Sequence, residues 1–212
     1  MDVMTDALLD RWNELLRRCG AAVDPVPYGR DLLDRWSEPQ RRYHTVEHLA
    51  AVLDHVDALA DRAQDADAVR LAAWFHDAVY RPDRSENEER SAQLAVRALR
   101  EAGLAEELVA ETARLVRLTA GHGCEPGDRN GEVLCDADLA ILGSGPERYA
   151  AYTAAVREEY GFVPEEAFRA GRAAILRQLL ELPALYRTPE ALARFDAAAR
   201  ANLAEELRRL ED

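Results

Sequence analysis

Apolar residues recur three and four positions apart along almost the whole chain, the spacing of one helical face. Leu8, Leu9, Trp12, Leu15, Leu16 and Cys19 form the first such face, and Gly20 closes it. Leu32, Leu33 and Trp36 predict a short second helix behind a Pro-rich turn, Asp24-Pro25-Val26-Pro27. Val46, Leu49, Val52, Leu53, Val56 and Leu59 mark a long third helix. Val69, Ala72, Ala73, Phe75 and Val79 mark a fourth that ends near Pro82. Ser85-Glu86-Asn87-Glu88 reads as a capping box, with Ser85 as N-cap and Glu88 three residues on, opening a helix to about Glu101. Another helix is expected from about Ala105 to Ala120, then a loop over 121–131 that holds four Gly and one Pro. A helix from about Glu132 to Leu142 follows. Pro146 and Pro189 stand where the first turn of a helix accepts proline, so helices are expected near 146–160 and 189–210, with another over 164–181. Strand alternation and repeats are missing. The pattern therefore predicts an all-α chain, one domain over 1–212.

Composition narrows the class. The 212 residues are 48% hydrophobic and 32% charged, a globular balance. No apolar run approaches the roughly 18 residues of a spanning helix. The stretch Met1–Asp6 lacks a basic region followed by an apolar one. Cys19, Cys124 and Cys135 are scattered and odd in number, which fits reduced thiols. A cytoplasmic protein with no membrane partner is expected. The net charge of −13 argues against nucleic acid as a partner, because counterion release needs clustered cations. All 27 bases are Arg. Schiff-base lysine chemistry and a Walker lysine are therefore excluded.

Chemistry concentrates at the histidines. His44 and His48 are four residues apart and project from one helical face or its leading end. His76-Asp77 falls inside an apolar helix, where an uncompensated charge is expensive and a cation would remove the cost. Asp136 and Asp138 again place acids in an apolar stretch, Leu134 to Leu142. Imidazoles with carboxylates suit Mn, Fe, Co, Ni, Zn or Mg. Singly, each feature has a plain structural explanation: a lone His is usually hydrogen-bonded, and Asp136 can be a helix cap. Their order along the chain is what points to a metal site.

Four ordered motifs carry a resemblance. Arg42-Tyr43-His44-Thr45-Val46-Glu47-His48-Leu49, Trp74-Phe75-His76-Asp77-Ala78-Val79-Tyr80, Asn87-Glu88-Glu89-Arg90-Ser91-Ala92 and Asp136-Ala137-Asp138-Leu139-Ala140-Ile141-Leu142-Gly143 resemble the metal-dependent phosphohydrolases of the HD-domain superfamily. Arg157-Glu158-Glu159-Tyr160, Gly171-Arg172 and Ala199-Arg200-Ala201-Asn202-Leu203 extend the likeness over most of the chain. The resemblance implies a phosphodiesterase-like helical bundle, its metal-site core at about 40–143 and its C-terminal helices, about 146–210, packed on it. It also implies a divalent metal (Mn, Ni, Co, Mg, Fe or Zn) held by one His, the His76-Asp77 pair and a distal Asp.

Two ligand choices stay open. Tyr43-His44 with His48 is similar to a phosphodiesterase segment whose second His binds metal while the first protonates the leaving oxygen. That carry-over makes His48 the ligand and His44 the general acid. In other HD domains an Arg stands three residues before the ligand, as Arg41 stands before His44. For the distal acid, the position directly before Leu selects Asp138 and leaves Asp136 as a cap or a support.

The implied activity is hydrolysis of a nucleotide or another small phosphate ester, the ion activating water and neutralising charge at phosphorus. Asp77 can orient the water, and Glu88, otherwise a capping carboxylate, can approach it. Arg41 and Arg42 can receive phosphate oxygens. His122, near a helix end, is expected as a substrate contact or second-metal ligand, although a full two-metal site needs more His than this chain has. A second copy of the chain is the macromolecular partner considered. The alternatives are a metal-stabilised nucleotide-binding or regulatory protein without turnover, and a diiron oxygenase.

Overall fold

In a computed structural model that describes residues 3–212, the chain is helical throughout, and no strand occurs among the described residues. Met1 and Asp2, part of the N-terminal stretch weighed above, lie outside the described residues. Ten α-helices follow one another: α1 Val3–Arg18, α2 Val26–Trp36, α3 Val46–Ala58, α4 Ala66–Phe75, α5 Asn87–Glu101, α6 Glu106–Leu118, α7 Arg129–Asp138, α8 Pro146–Glu159, α9 Glu165–Glu181 and α10 Pro189–Glu211. Short 3₁₀ turns occupy Ala60–Arg62 and Leu139–Gly143. The chain divides into two compact units, one up to Cys135 and one from Asp136 onward.

In the first unit the apolar stripes read from the sequence are the ones buried. Leu8, Trp12, Leu15 and Leu16 of α1 and Leu49, Val52, Leu53 and Val56 of α3 lie in the core with Leu71, Trp74 and Phe75 of α4. Trp12 meets Trp74 edge-on at 5.2 Å, a geometry aromatic rings favour. Gly29 allows the close approach of α2 to α1: a Cβ there would lie 2.5 Å from the Trp12 ring. Asp65 caps α4 by accepting from the Asp67 and Ala68 amides.

Four boundaries differ from the sequence reading. Helix α2 starts at Val26, so Pro27 lies within its first turn rather than in a turn before it; a proline there has no intrahelical bond to lose. Helix α5 starts at Asn87 with Glu86 at its N-cap, and no side chain caps it. The Ser85–Glu88 capping box does not form. Asn87 is instead turned inward, its amide oxygen accepting from the Arg81 amide and its nitrogen donating to the Arg81 and Arg84 carbonyls. Helix α4 ends at Phe75, well short of Pro82, because side chains from elsewhere capture the backbone that follows. Ser91 takes the Val79 amide at 3.0 Å. Helix α7 likewise begins inside the expected loop, at Arg129.

The second unit has its own core of Leu142, Tyr149, Leu176, Leu185, Tyr186, Phe195, Ala199 and Leu203. Gly143 touches α10, where a Cβ would lie 2.6 Å from Phe195 Cβ and 2.8 Å from its backbone. Asn202 donates to the Leu142 and Ser144 carbonyls. Arg200 reaches the Leu182 carbonyl. Arg157 holds the α8–α9 turn through the Tyr160 and Val163 carbonyls. The C-terminal motifs thus have structural work. No helix of the described residues is long and apolar enough to cross a membrane.

Candidate metal centre

Within the first unit, the end of α4 and the start of α3 bring three imidazoles to one carboxylate. His76 follows the last residue of α4, its amide still bonded to the Ala72 carbonyl at 2.8 Å. Asp77 comes next, so the pair stands at a helix C-terminus and not inside a helix as its apolar setting suggested. His48 lies in the first turn of α3, and His44 precedes that helix by two residues. Asp77 Oδ2 is 3.2 Å from His76 Nε2, 3.9 Å from His48 Nε2 and 3.9 Å from His44 Nε2. The His48 and His76 Nε2 atoms are 3.3 Å apart. Both rings are buried, at 6% and 1% exposure, while Asp77 and His44 are half-buried.

This donor set fits a metal ion. His76 Nδ1 lies 2.8 Å from the Ala73 carbonyl oxygen. A carbonyl can only accept, so Nδ1 carries a proton, and in a neutral ring that leaves the lone pair at Nε2, toward the cluster. Such an outer hydrogen bond fixes the ring and tautomer of metal-ligating histidines. A carboxylate at a helix C-terminus also faces the negative end of the helix dipole, an unfavourable place that a cation reverses.

An aromatic wall encloses the cluster. Tyr80 packs on His44 with centroids 4.2 Å apart. Tyr43 lies 4.7 Å from His48, and Trp36 lies 5.3 Å from His76. Trp36 is itself fixed by donating to the Trp74 carbonyl at 3.0 Å. Sequence periodicity gave Trp36 a core role only. Tyr80 was visible as a motif residue without a task.

Arg41 was expected to receive phosphate, but its side chain has no solvent exposure. Its guanidinium donates to the His44 carbonyl at 3.0 Å and the Asp77 carbonyl at 2.9 Å. Arg42 is exposed, with Nη1 donating to the Pro39 and Arg41 carbonyls. Glu88 is the second residue of α5 and half-buried. His122 follows α6 in the left-handed region, φ 51°, with its amide closing the helix on the Leu118 carbonyl at 3.0 Å. Outside glycine that conformation is uncommon, and His is among the residues that adopt it more readily.

In the second unit the two candidate acids separate cleanly. Asp136 is buried, one oxygen accepting from the Arg187 amide and the other from the Thr188 amide and hydroxyl, at 2.7–2.8 Å. Burial pushes its carboxyl up, and those hydrogen bonds oppose the rise. It is a clip on the N-terminus of α10. Asp138, the last residue of α7, is half-buried. Burial raises the hydroxyl of Tyr152 and the Asp138 charge adds to the rise; that hydroxyl accepts from Arg172, half-buried and paired with Glu206.

Comparison of the chain with protein-family models, with curated proteins and with solved structures found no match.

Proposed function

We propose that the chain is a metal-dependent phosphohydrolase of HD type, acting on a nucleotide or another small phosphate ester. The observation that carries this reading is the convergence of His44, His48 and His76 Nε2 on Asp77 Oδ2 within 3.9 Å. His48, His76 and Asp77 would hold a divalent ion, with Asp138 assigned as the distal ligand by the motif resemblance. The ion supplies Lewis acidity, which makes water acidic near neutral pH and neutralises charge at phosphorus.

The chain's own groups do the rest. His44, half-buried and two residues ahead of α3, delivers a proton from Nε2 to the departing oxygen. Asp77 accepts a hydrogen bond from the attacking water and orients it, with Glu88 a second carboxylate for that proton. Arg42 takes a phosphate oxygen, its guanidinium matching phosphate geometry. His122 contacts the substrate. Tyr43, Tyr80 and Trp36 keep bulk water from the imidazoles, which strengthens every charge interaction among them.

The test is a screen of phosphomonoesters and nucleotides with Mn²⁺, Ni²⁺, Co²⁺ or Mg²⁺ added singly. Phosphate release with at least one ion is expected. Substrate binding without release under every ion would make the protein a binding module. Dioxygen consumption by an iron-loaded sample would replace hydrolysis by oxygenation.

A further inference from the structure

We infer that Arg41 is a positioning residue for the His/Asp cluster and not a substrate contact; this rests on the proposed metal centre. Its guanidinium joins the two chain segments that carry the cluster. Nη1 donates to the carbonyl of His44 at 3.0 Å and to that of Asp77, 36 residues further along, at 2.9 Å. Nη2 adds the Ala78 carbonyl and Glu38 Oε2, each at 3.4 Å. The group lies over the Trp36 ring at 5.3 Å and over the Tyr80 ring at 5.4 Å, contacts that favour a cation. Those same two rings pack on His76 and on His44.

A purely stabilising role explains this poorly. A buried cation loses its hydration, and a well-packed apolar side chain would often stabilise the same site as well or better. What an apolar side chain cannot do is fix three carbonyls at once. A planar guanidinium can, because its donors point in set directions. The consequence lies at the cluster: backbone held at His44 and Asp77 restricts where Nε2 and Oδ2 can be. A phosphate contact is disfavoured by the same burial, since the side chain has no exposed surface.

The experiment titrates Co²⁺ into the metal-free chain, following its visible absorption, and separately inorganic phosphate, following heat, for wild type, Arg41→Lys and Arg41→Gln. Urea unfolding of the same metal-free proteins runs alongside. Lys keeps the charge but not the planar fork; Gln removes the buried charge and provides a second variant should Lys prevent folding. Co²⁺ affinity should fall about tenfold or more in a variant that still folds, the range seen when a support of a metal ligand is lost. Wild-type Co²⁺ affinity with only a lowered unfolding midpoint would show a merely structural Arg and overturn the inference. Unchanged Co²⁺ affinity with weakened inorganic phosphate binding would restore the substrate contact. Failure of the wild type to bind Co²⁺ would overturn the metal centre itself, a separate result.

Discussion

At His76 the side chain does two jobs with two nitrogens. Nδ1 is committed to the Ala73 carbonyl, and Nε2 is left facing His48 and Asp77. Replacing His48, His76 or Asp77 by Ala should therefore remove bound metal, each variant retaining less than stoichiometric ion on elemental analysis. The metal-loaded form should lose more thermal stability than the metal-free form, because ion binding adds to folding free energy. Stoichiometric ion in Asp77→Ala would refute the assignment. His44→Ala should behave differently, keeping the ion while turnover falls by about 10²- to 10⁴-fold, the usual contribution of a positioned proton donor. Loss of the ion in that variant would make His44 a ligand. Arg41 marks the limit of residue-level reading. An Arg beside a histidine motif looks the same in sequence whether it meets phosphate or backbone, and only its lack of exposure separates the two.

Helix existence was legible because apolar spacing decides it, and every long stripe became a helix. Helix ends were less legible, because distant side chains compete for terminal backbone groups. Helix α4 stops at Phe75 although Val79 continues its apolar rhythm, since Ser91 and Asn87 hold the Val79 and Arg81 amides. The segment Asn87 to Ala92 stood out as a motif, and the structure gives two of its residues that clamp. Two predictions belong at this scale. Gly143→Ala should destabilise the chain by about 1–3 kcal/mol in urea unfolding, because a Cβ meets Phe195 backbone that cannot rotate away; an unchanged midpoint would show the contact is loose. Asp67 links α4 to α1 through Arg18, with Arg70 beside it, and these hydrogen bonds hold its carboxyl below the usual range. Because the folded value is depressed, its stabilisation is complete above the ordinary value of 3.8 and is lost as pH falls through the lower folded value. Asp67→Asn should flatten that acid limb, with a cost near neutral pH of about 1 kcal/mol or less, given the partial exposure of the pair. An equally steep acid limb in the variant would assign it to other carboxylates.

The whole molecule has a net charge of −13, yet the proposed substrate is an anion. In the proposed centre a dication held by two neutral imidazoles and two carboxylates would sum to zero charge, so an approaching phosphate would meet no net charge there. Composition argues against nucleic acid as a partner on charge grounds but does not foresee this compensation, which depends on bringing His44 and His48 to His76 and Asp77. The most direct measurement is the rate of phosphate release from a phosphomonoester or nucleotide while metal is stripped with EDTA and then returned in steps. Activity should vanish on stripping and recover in proportion to Mn²⁺, Co²⁺ or Ni²⁺ occupancy, saturating near one ion per chain. Hydrolysis that persists in the stripped protein would contradict the account.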